Sequence, residues 1–423
     1  MARRPAKVRK TKAENCTKVV KSEYRKIIDL PPELLHMIFE YVKDDRWTMK
    51  RCAATCAVLR EVAVEYLKYP SPRVYENLDH FMTFMRRHKK PTTTVRSLQL
   101  SNVALDASLM TEIKGLFPKL TYLTLRDISC TPPLPYHRPP PESLMQVESL
   151  RLESTRGGWS LCGMMHIISF LAPTTRLDID LRGCEGFPDK FDPRCLASSP
   201  AVRELWIDSS YVPRRTSADV LDALSRTLAP ESLKRVVIEY DSGDTVRALS
   251  ALLGRIGSNV MNLYLRPCSR PWDAAKRQTW SDPFDDWQLL DISACKQLET
   301  LYLHIYVKRK ENLNSRRAVS YAATGLLANY ASPTLRKVTI DLHDLERPTT
   351  LGNRVVLKLQ EFDKVVTAAR FPNLQQFELR VGVSDDLYRK RHHEQKCREA
   401  ALRALPGLHA RNVLRIKVER TFA

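Results

Sequence analysis

Val95-Arg96-Ser97-Leu98-Gln99-Leu100 decides the reading of this chain, because its apolar spacing of i, i+3 and i+5 keeps returning. Leu120, Leu123 and Leu125 repeat it, then Val147, Leu150 and Leu152, then Val202, Leu205 and Ile207. Leu233, Val236 and Ile238, Val260, Leu263 and Leu265, and Leu298, Leu301 and Leu303 follow. Leu335, Val338 and Ile340 and then Leu374, Phe377 and Leu379 continue the series. Leu177 and Ile179 fit a further copy, and Leu414, Ile416 and Val418 end it. Successive copies begin 25 to 31 residues apart as far as Val260 and 37 to 39 apart beyond it. The last two apolar positions of each copy have the two-residue period of a strand, and recurrence at such intervals marks a stacked repeat array.

Helical spacing lies between several copies, in Val220, Leu221, Leu224 and Leu228, in Val246, Leu249, Leu252 and Leu253, and in Leu357, Phe362, Val365 and Val366. One strand per repeat with helices between predicts an α/β solenoid over residues 95–419, its parallel strands backed by helices and curved. If Leu98 and Leu100 face the helices, Gln99 faces the opposite, concave side. The same arithmetic places Thr124, Arg151, Asp178, Trp206, Val237, Tyr264, Tyr302, Thr339, Glu378 and Arg415 on that side. Aromatics ringed by charge are the usual make-up of an energetic centre in a protein interface. Arg151, Asp178, Trp206, Tyr264, Tyr302, His304 and Tyr306 are therefore the candidate target-binding residues, and Asp178, Asp180 and Asp208 form a carboxylate cluster suited to a basic segment.

Ahead of the array, residues 27–70 read as three short helices. Leu35, Ile38, Phe39 and Val42 recur at helical spacing behind Pro31 and Pro32, while Leu34 and Tyr41 add apolar surface on another side. Met49, Cys52, Ala53 and Cys56 form a second stripe, and Leu59, Val62, Ala63 and Tyr66 a third. A unit this small has too little interior to cover helices that are apolar on more than one side, so it calls for a second protein. Residues 71–94 read as a helical linker.

Leu30-Pro31-Pro32-Glu33-Leu34-Leu35, Ile38-Phe39-Glu40-Tyr41-Val42 and Arg51-Cys52-Ala53-Ala54-Thr55-Cys56 resemble the F-box motif. The strand pattern is similar to the leucine-rich repeats of one class of F-box proteins, though the Asn or Cys expected after each strand is mostly absent, Asn102 and Cys184 excepted. The resemblance implies docking onto a Skp-family adaptor and, through it, a cullin scaffold of a ubiquitin ligase. Carried over by position, Leu30, Pro31, Leu34, Ile38, Phe39, Met49 and Cys56 would be the adaptor-binding residues. It further implies an unidentified target protein held by the repeats and no catalysis by the chain itself. The cytoplasm or nucleus is the expected location, since the start of the chain is too basic and too poor in leucine for a secretory signal and the cysteines suit a reducing compartment.

The composition leaves a rival open. The formal net charge is +20, and part of it sits in residues 1–26, a basic tail too poor in large apolar residues to order itself. A basic repeat scaffold binding nucleic acid or another polyanion is the alternative function. No apolar run reaches the roughly 20 residues of a membrane span. The 10 cysteines show no disulfide-framework spacing, which suits reduced thiols. No phosphate-cradling glycine loop, nucleophile elbow or His-Glu-x-x-His occurs, so catalytic residues, cofactor and metal are all expected to be none. His392, His393 and Cys397 read as part of a solvated helix face. The proline-rich stretch 131–141 reads as a stiff surface loop, and residues 266–287, rich in Trp and Pro, as a loop packed on the sheet edge.

Overall fold

The computed structural model describes residues 27–42, 45–67, 72–87, 95–130, 132, 144–155, 159–170, 174–184, 186–193, 196, 199–208, 216–240, 242–267, 286–307, 320–345, 347–383 and 392–420. The basic tail 1–26, nearly all of 131–141 and the stretch 268–285 lie outside them. The chain divides into two compact units, Met1–Tyr69 and Pro70–Ala423.

In the first unit, α1 (Pro32–Val42), α2 (Arg46–Thr55) and α3 (Ala57–Leu67) follow the three apolar stripes. Pro32 stands at the first helical position, where its missing N–H costs nothing, and the carbonyl of Pro31 accepts from Leu34 and Leu35. Asp45 caps α2 by accepting from the backbone N–H groups of Trp47 and Thr48, each at 3.1 Å. Leu35, Phe39, Met49, Leu59, Val62 and Ala63 form one small core, with Leu30, Val42, Cys52, Ala53 and Cys56 packed partly against it.

The second unit is built on a 12-stranded sheet whose strands lie in chain order. They are β1 (Arg73–Tyr75), β2 (Ser97–Ser101), β3 (Tyr122–Arg126), β4 (Ser149–Glu153), β5 (Thr174–Asp180) and β6 (Val202–Asp208), then β7 (Arg235–Tyr240), β8 (Asn262–Pro267), β9 (Thr300–Tyr306), β10 (Lys337–Leu345), β11 (Gln376–Val383) and β12 (Leu414–Arg420). Every neighbouring pair runs parallel. This is the α/β stacking of one strand per repeat that the apolar period predicts. The inward leucines pair with their counterparts on the next strand, Leu98 with Leu123, Leu123 with Leu150, Leu150 with Leu177 and Leu177 with Leu205, and all are buried. Each strand is half of a surface that only the next repeat can complete.

Helices Thr216–Thr227 and Gly243–Ile256 cover this inward face with Val220, Leu221, Leu224, Leu249, Leu252 and Leu253. Acidic side chains replace the missing Asn and Cys as fasteners between repeats. Asp127, just past β3 at a φ of 49°, accepts from the backbone N–H of Thr155 at 2.6 Å. Asp189 accepts from the N–H groups of Leu161 and Cys162 at 2.6 and 2.8 Å, closing the N-terminus of helix Leu161–Ser169. Asp363 does the same for Gly407 and Leu408, both at 2.8 Å.

Two expectations need correcting. Residues 71–94 are more than a helical linker, since they hold β1, the sheet's first strand, ahead of helix Leu78–Arg87. Val74 is that strand's single buried residue, too little to register as a repeat. His393 and Cys397 are not on a solvated face; with Ala400, Ala401 and Ala404 they form the buried side of helix His393–Ala404. No helix among the described residues is long and apolar enough to cross a membrane.

Candidate functional site

On the sheet face turned away from the helices, the in-register pairing sets one residue of each strand beside its counterpart. The row runs Gln99, Thr124, Arg151, Asp178, Trp206, Val237, Tyr264, Tyr302, Thr339, Glu378 and Arg415. Four of the candidate target-binding residues, Asp178, Trp206, Tyr264 and Tyr302, fall in its middle, with Arg151 one strand earlier.

Arginines from the rows on either side interleave with those aromatics. The Arg176 guanidinium lies 4.1 Å from the centre of the Trp206 ring. Arg235 lies between Trp206 and Tyr264, 5.0 and 4.7 Å from their rings. Tyr264 stacks on Tyr302 at 5.3 Å, and Arg380 covers Tyr302 at 5.8 Å. Each cation–π contact contributes about 0.5–1 kcal/mol, so the ladder is pre-ordered before anything binds. A hollow of about 490 Å³ opens over it, lined by Arg151, Asp178, Asp180, Trp206, Asp208, Arg235, Glu239, Tyr264, Arg266 and Tyr302 among others. A larger hollow of about 690 Å³ gathers Arg96, Lys119, Thr121 and Glu148 with Pro118, Leu120 and Val147 but no aromatic ring, and so lacks the aromatic anchors common at interfaces.

The carboxylate cluster is already matched internally. Asp178 pairs with Arg176 at 2.9 Å, and Asp180 with Arg182 and Arg151 at 2.5 and 3.3 Å. Asp208 stands 3.8 Å from Arg182. Burial would raise the pKa of Asp180, but the Arg182 hydrogen bonds and the Arg151 charge outweigh it and hold the carboxylate below its ordinary range. The three acids therefore do not offer a free negative patch to a basic segment.

His304 is not on open surface: it is 3% exposed and its Nδ1 lies 3.2 Å from Asp341 Oδ2. The Tyr302 hydroxyl donates to the same Asp341 oxygen, and His343 Nε2 stands 3.4 Å from it. Burial lowers the pKa of His304, against the opposing pull of Asp341, so its imidazole is neutral at pH 7. Asp341 is ionised, because the hydrogen bonds from His304, His343 and Tyr302 outweigh the burial that would protonate it. The side chain of Tyr306 lies outside the described residues.

No family model matches the chain, and no curated protein matches it either.

The first unit presents a second candidate surface. Pro31 is exposed, Leu34 and Ile38 are 43% and 39% exposed, and Leu30 and Cys56 are partly covered. Phe39 and Met49 depart from the expected adaptor-binding set: at 2% and 0% exposed they belong to the unit's own core and have no surface to offer. In their place the structure exposes Met37, Tyr41 and Trp47 at 68%, 93% and 62%, with Arg51 lying 3.4 Å over the Trp47 ring. Met37 and Tyr41 share a helix side with Leu34 and Ile38 by i+3 and i+4 spacing; Leu34 and Tyr41 were legible in the sequence as a second apolar side, and Met37 extends it.

Proposed function

We propose that this chain is the substrate-recognition subunit of a cullin-type ubiquitin ligase, performing no chemistry itself. The helical unit docks a Skp-family adaptor, and the outward face of the repeat sheet holds a target protein. One observation carries the proposal: α1 buries Leu35 and Phe39 in a core of its own while leaving Leu34, Met37, Ile38 and Tyr41 open to solvent. A small helical unit that has satisfied one face and kept a second contiguous apolar face exposed has the form of a docking module. The Trp206–Tyr264–Tyr302 ladder supports the other half of the reading, since aromatic and arginine side chains dominate protein interface energetics. Holding a target beside a ligase raises its effective concentration there, which requires a grip and no catalytic residue.

Co-purification tests it. The full-length chain is expected to bring down a Skp-family adaptor and a cullin, and Leu34→Lys with Ile38→Lys to lose both with an unchanged melting temperature, since both side chains are already exposed. Adaptor binding that survives the double substitution would remove the assignment to α1. The charge of +20, part of it gathered in residues 1–26, favours a second reading, a scaffold for nucleic acid. Affinity for RNA or DNA that falls steeply with added salt, together with no adaptor in the pull-down, selects that reading instead.

A further inference from the structure

We infer that His304, Asp341 and His343 form a binding site for a divalent transition metal of the zinc class, set on adjacent strands at one end of the aromatic ladder. The inference stands apart from the ligase reading and does not depend on it. Parallel pairing puts His304 of β9 directly beside Asp341 of β10, and His343 follows two residues on, on the same side of the sheet. The three potential ligand atoms all lie within 4.8 Å of one another. Asp341 Oδ2 is 3.2 Å from His304 Nδ1 and 3.4 Å from His343 Nε2. Around zinc, with metal–ligand bonds of about 2.0–2.1 Å, the edges of a tetrahedron are about 3.3 Å long. Two edges of the cluster already have that length.

The donor set narrows the ion. Two imidazoles and one carboxylate, with no thiolate, suit zinc or ferrous iron and disfavour cuprous copper. His304 and Asp341 are buried at 3% and 7% exposed while His343 is only half-buried, so the cluster is walled by protein on one side and reachable from another. The Tyr302 hydroxyl donates to Asp341 and so fixes the carboxylate, as the groups behind metal ligands commonly do. Two nearby cations each face a carboxylate that offsets their repulsion of an ion: Arg380, which covers Tyr302, is held by Glu378 at 2.6 Å, and Arg266, whose charge reaches His304, stands 3.9 Å from Glu239. Three protein donors leave a further coordination position for water or for a side chain of a bound protein.

The test uses the full-length chain, stripped with a chelator and dialysed against zinc chloride. One zinc per chain is expected to be retained and to raise the melting temperature. His343→Gln and Asp341→Asn are each expected to lose that equivalent and the thermal shift while keeping the far-ultraviolet circular dichroism of the unaltered protein. Should either variant fail to fold, cobalt loaded into the unaltered chain decides. Visible bands of a nitrogen- and oxygen-ligated ion without thiolate charge transfer support the site, and a thiolate band overturns it. Failure of the unaltered chain to retain any zinc, or retention of the equivalent by folded His343→Gln, overturns it as well.

Discussion

Glu378 has no exposed surface, yet it is surrounded by cations: Lys337 at 2.7 Å, Arg380 at 2.6 Å and Lys417 at 3.3 Å. Burial pushes its pKa up, but the hydrogen bonds and charges of Lys337 and Arg380 win and bring it from 4.5 down to about 2. A carboxylate depressed on folding stabilises the folded state fully above its unfolded pKa and loses that contribution as pH falls through the folded value. The stability of the array should therefore decline from about pH 5 towards pH 2, and in Glu378→Gln this part of the decline should flatten in urea titrations across that range. At pH 7 the same substitution removes the carboxylate that Lys337, Arg380 and Lys417 share; because these cations are a third to a half exposed and water can replace it, the loss should be roughly 1–3 kcal/mol. An unaltered pH profile in the variant would assign the decline to other groups. Gly183 is a steric case, because a Cβ there would stand 2.3 Å from the backbone of Thr155 in the preceding repeat. Gly183→Ala is expected to destabilise by about 1–3 kcal/mol in urea, and a neutral result would mean that the two turns part freely. Trp206, Tyr264 and Tyr302 could be read from alternation along single strands. His304, Asp341 and His343 could not be read as a set, because 37 residues separate His304 from Asp341 and only the parallel register brings them together.

At the level of elements, helix Leu161–Ser169 shows what periodicity misses. All nine of its residues are buried, so no polar side exists to reveal a helical stripe, and in the sequence it is only a short apolar run. Helices Thr216–Thr227 and Gly243–Ile256 keep charged residues such as Asp222, Arg226, Asp244 and Arg247 on an outer side, and their apolar spacing stands out against them. The start of this buried helix is satisfied twice, by its own Ser160, which accepts from Gly163, and by Asp189, which accepts from Leu161 and Cys162. Asp189→Ala leaves the N–H groups of Leu161 and Cys162 without that acceptor and should cost about 1–3 kcal/mol, read from the shift in urea midpoint at unchanged slope. A loss of slope as well would show that the cap holds two repeats in one cooperative unit. The short strand β1 was illegible for the opposite reason, since one buried valine flanked by exposed Arg73 and Tyr75 carries no period.

For the molecule as a whole, the two hydrophobic cores are made of separate sets of residues, one in each unit. Chain 70–423 should accordingly fold without the helical unit and keep the near-ultraviolet signal of Trp159, which is 1% exposed in the array's core. Loss of that signal on deleting residues 1–69 would show that the array needs them to fold. The repeat order was plain in the sequence because each copy must present the same two inward side chains. That demand holds whether the copies start 27 residues apart, as Leu233 and Val260 do, or 38, as Val260 and Leu298 do, and the sheet still pairs Leu263 with Leu301 in step. A sheet so constructed is also a ruler. Adjacent strands stand about 4.8 Å apart, so the four steps from Asp178 to Tyr302 measure roughly 19 Å along the row. An extended peptide laid across the strands covers that length with about six residues at about 3.3 Å each, which sets the size of the shortest segment able to touch Asp178 and Tyr302 at once.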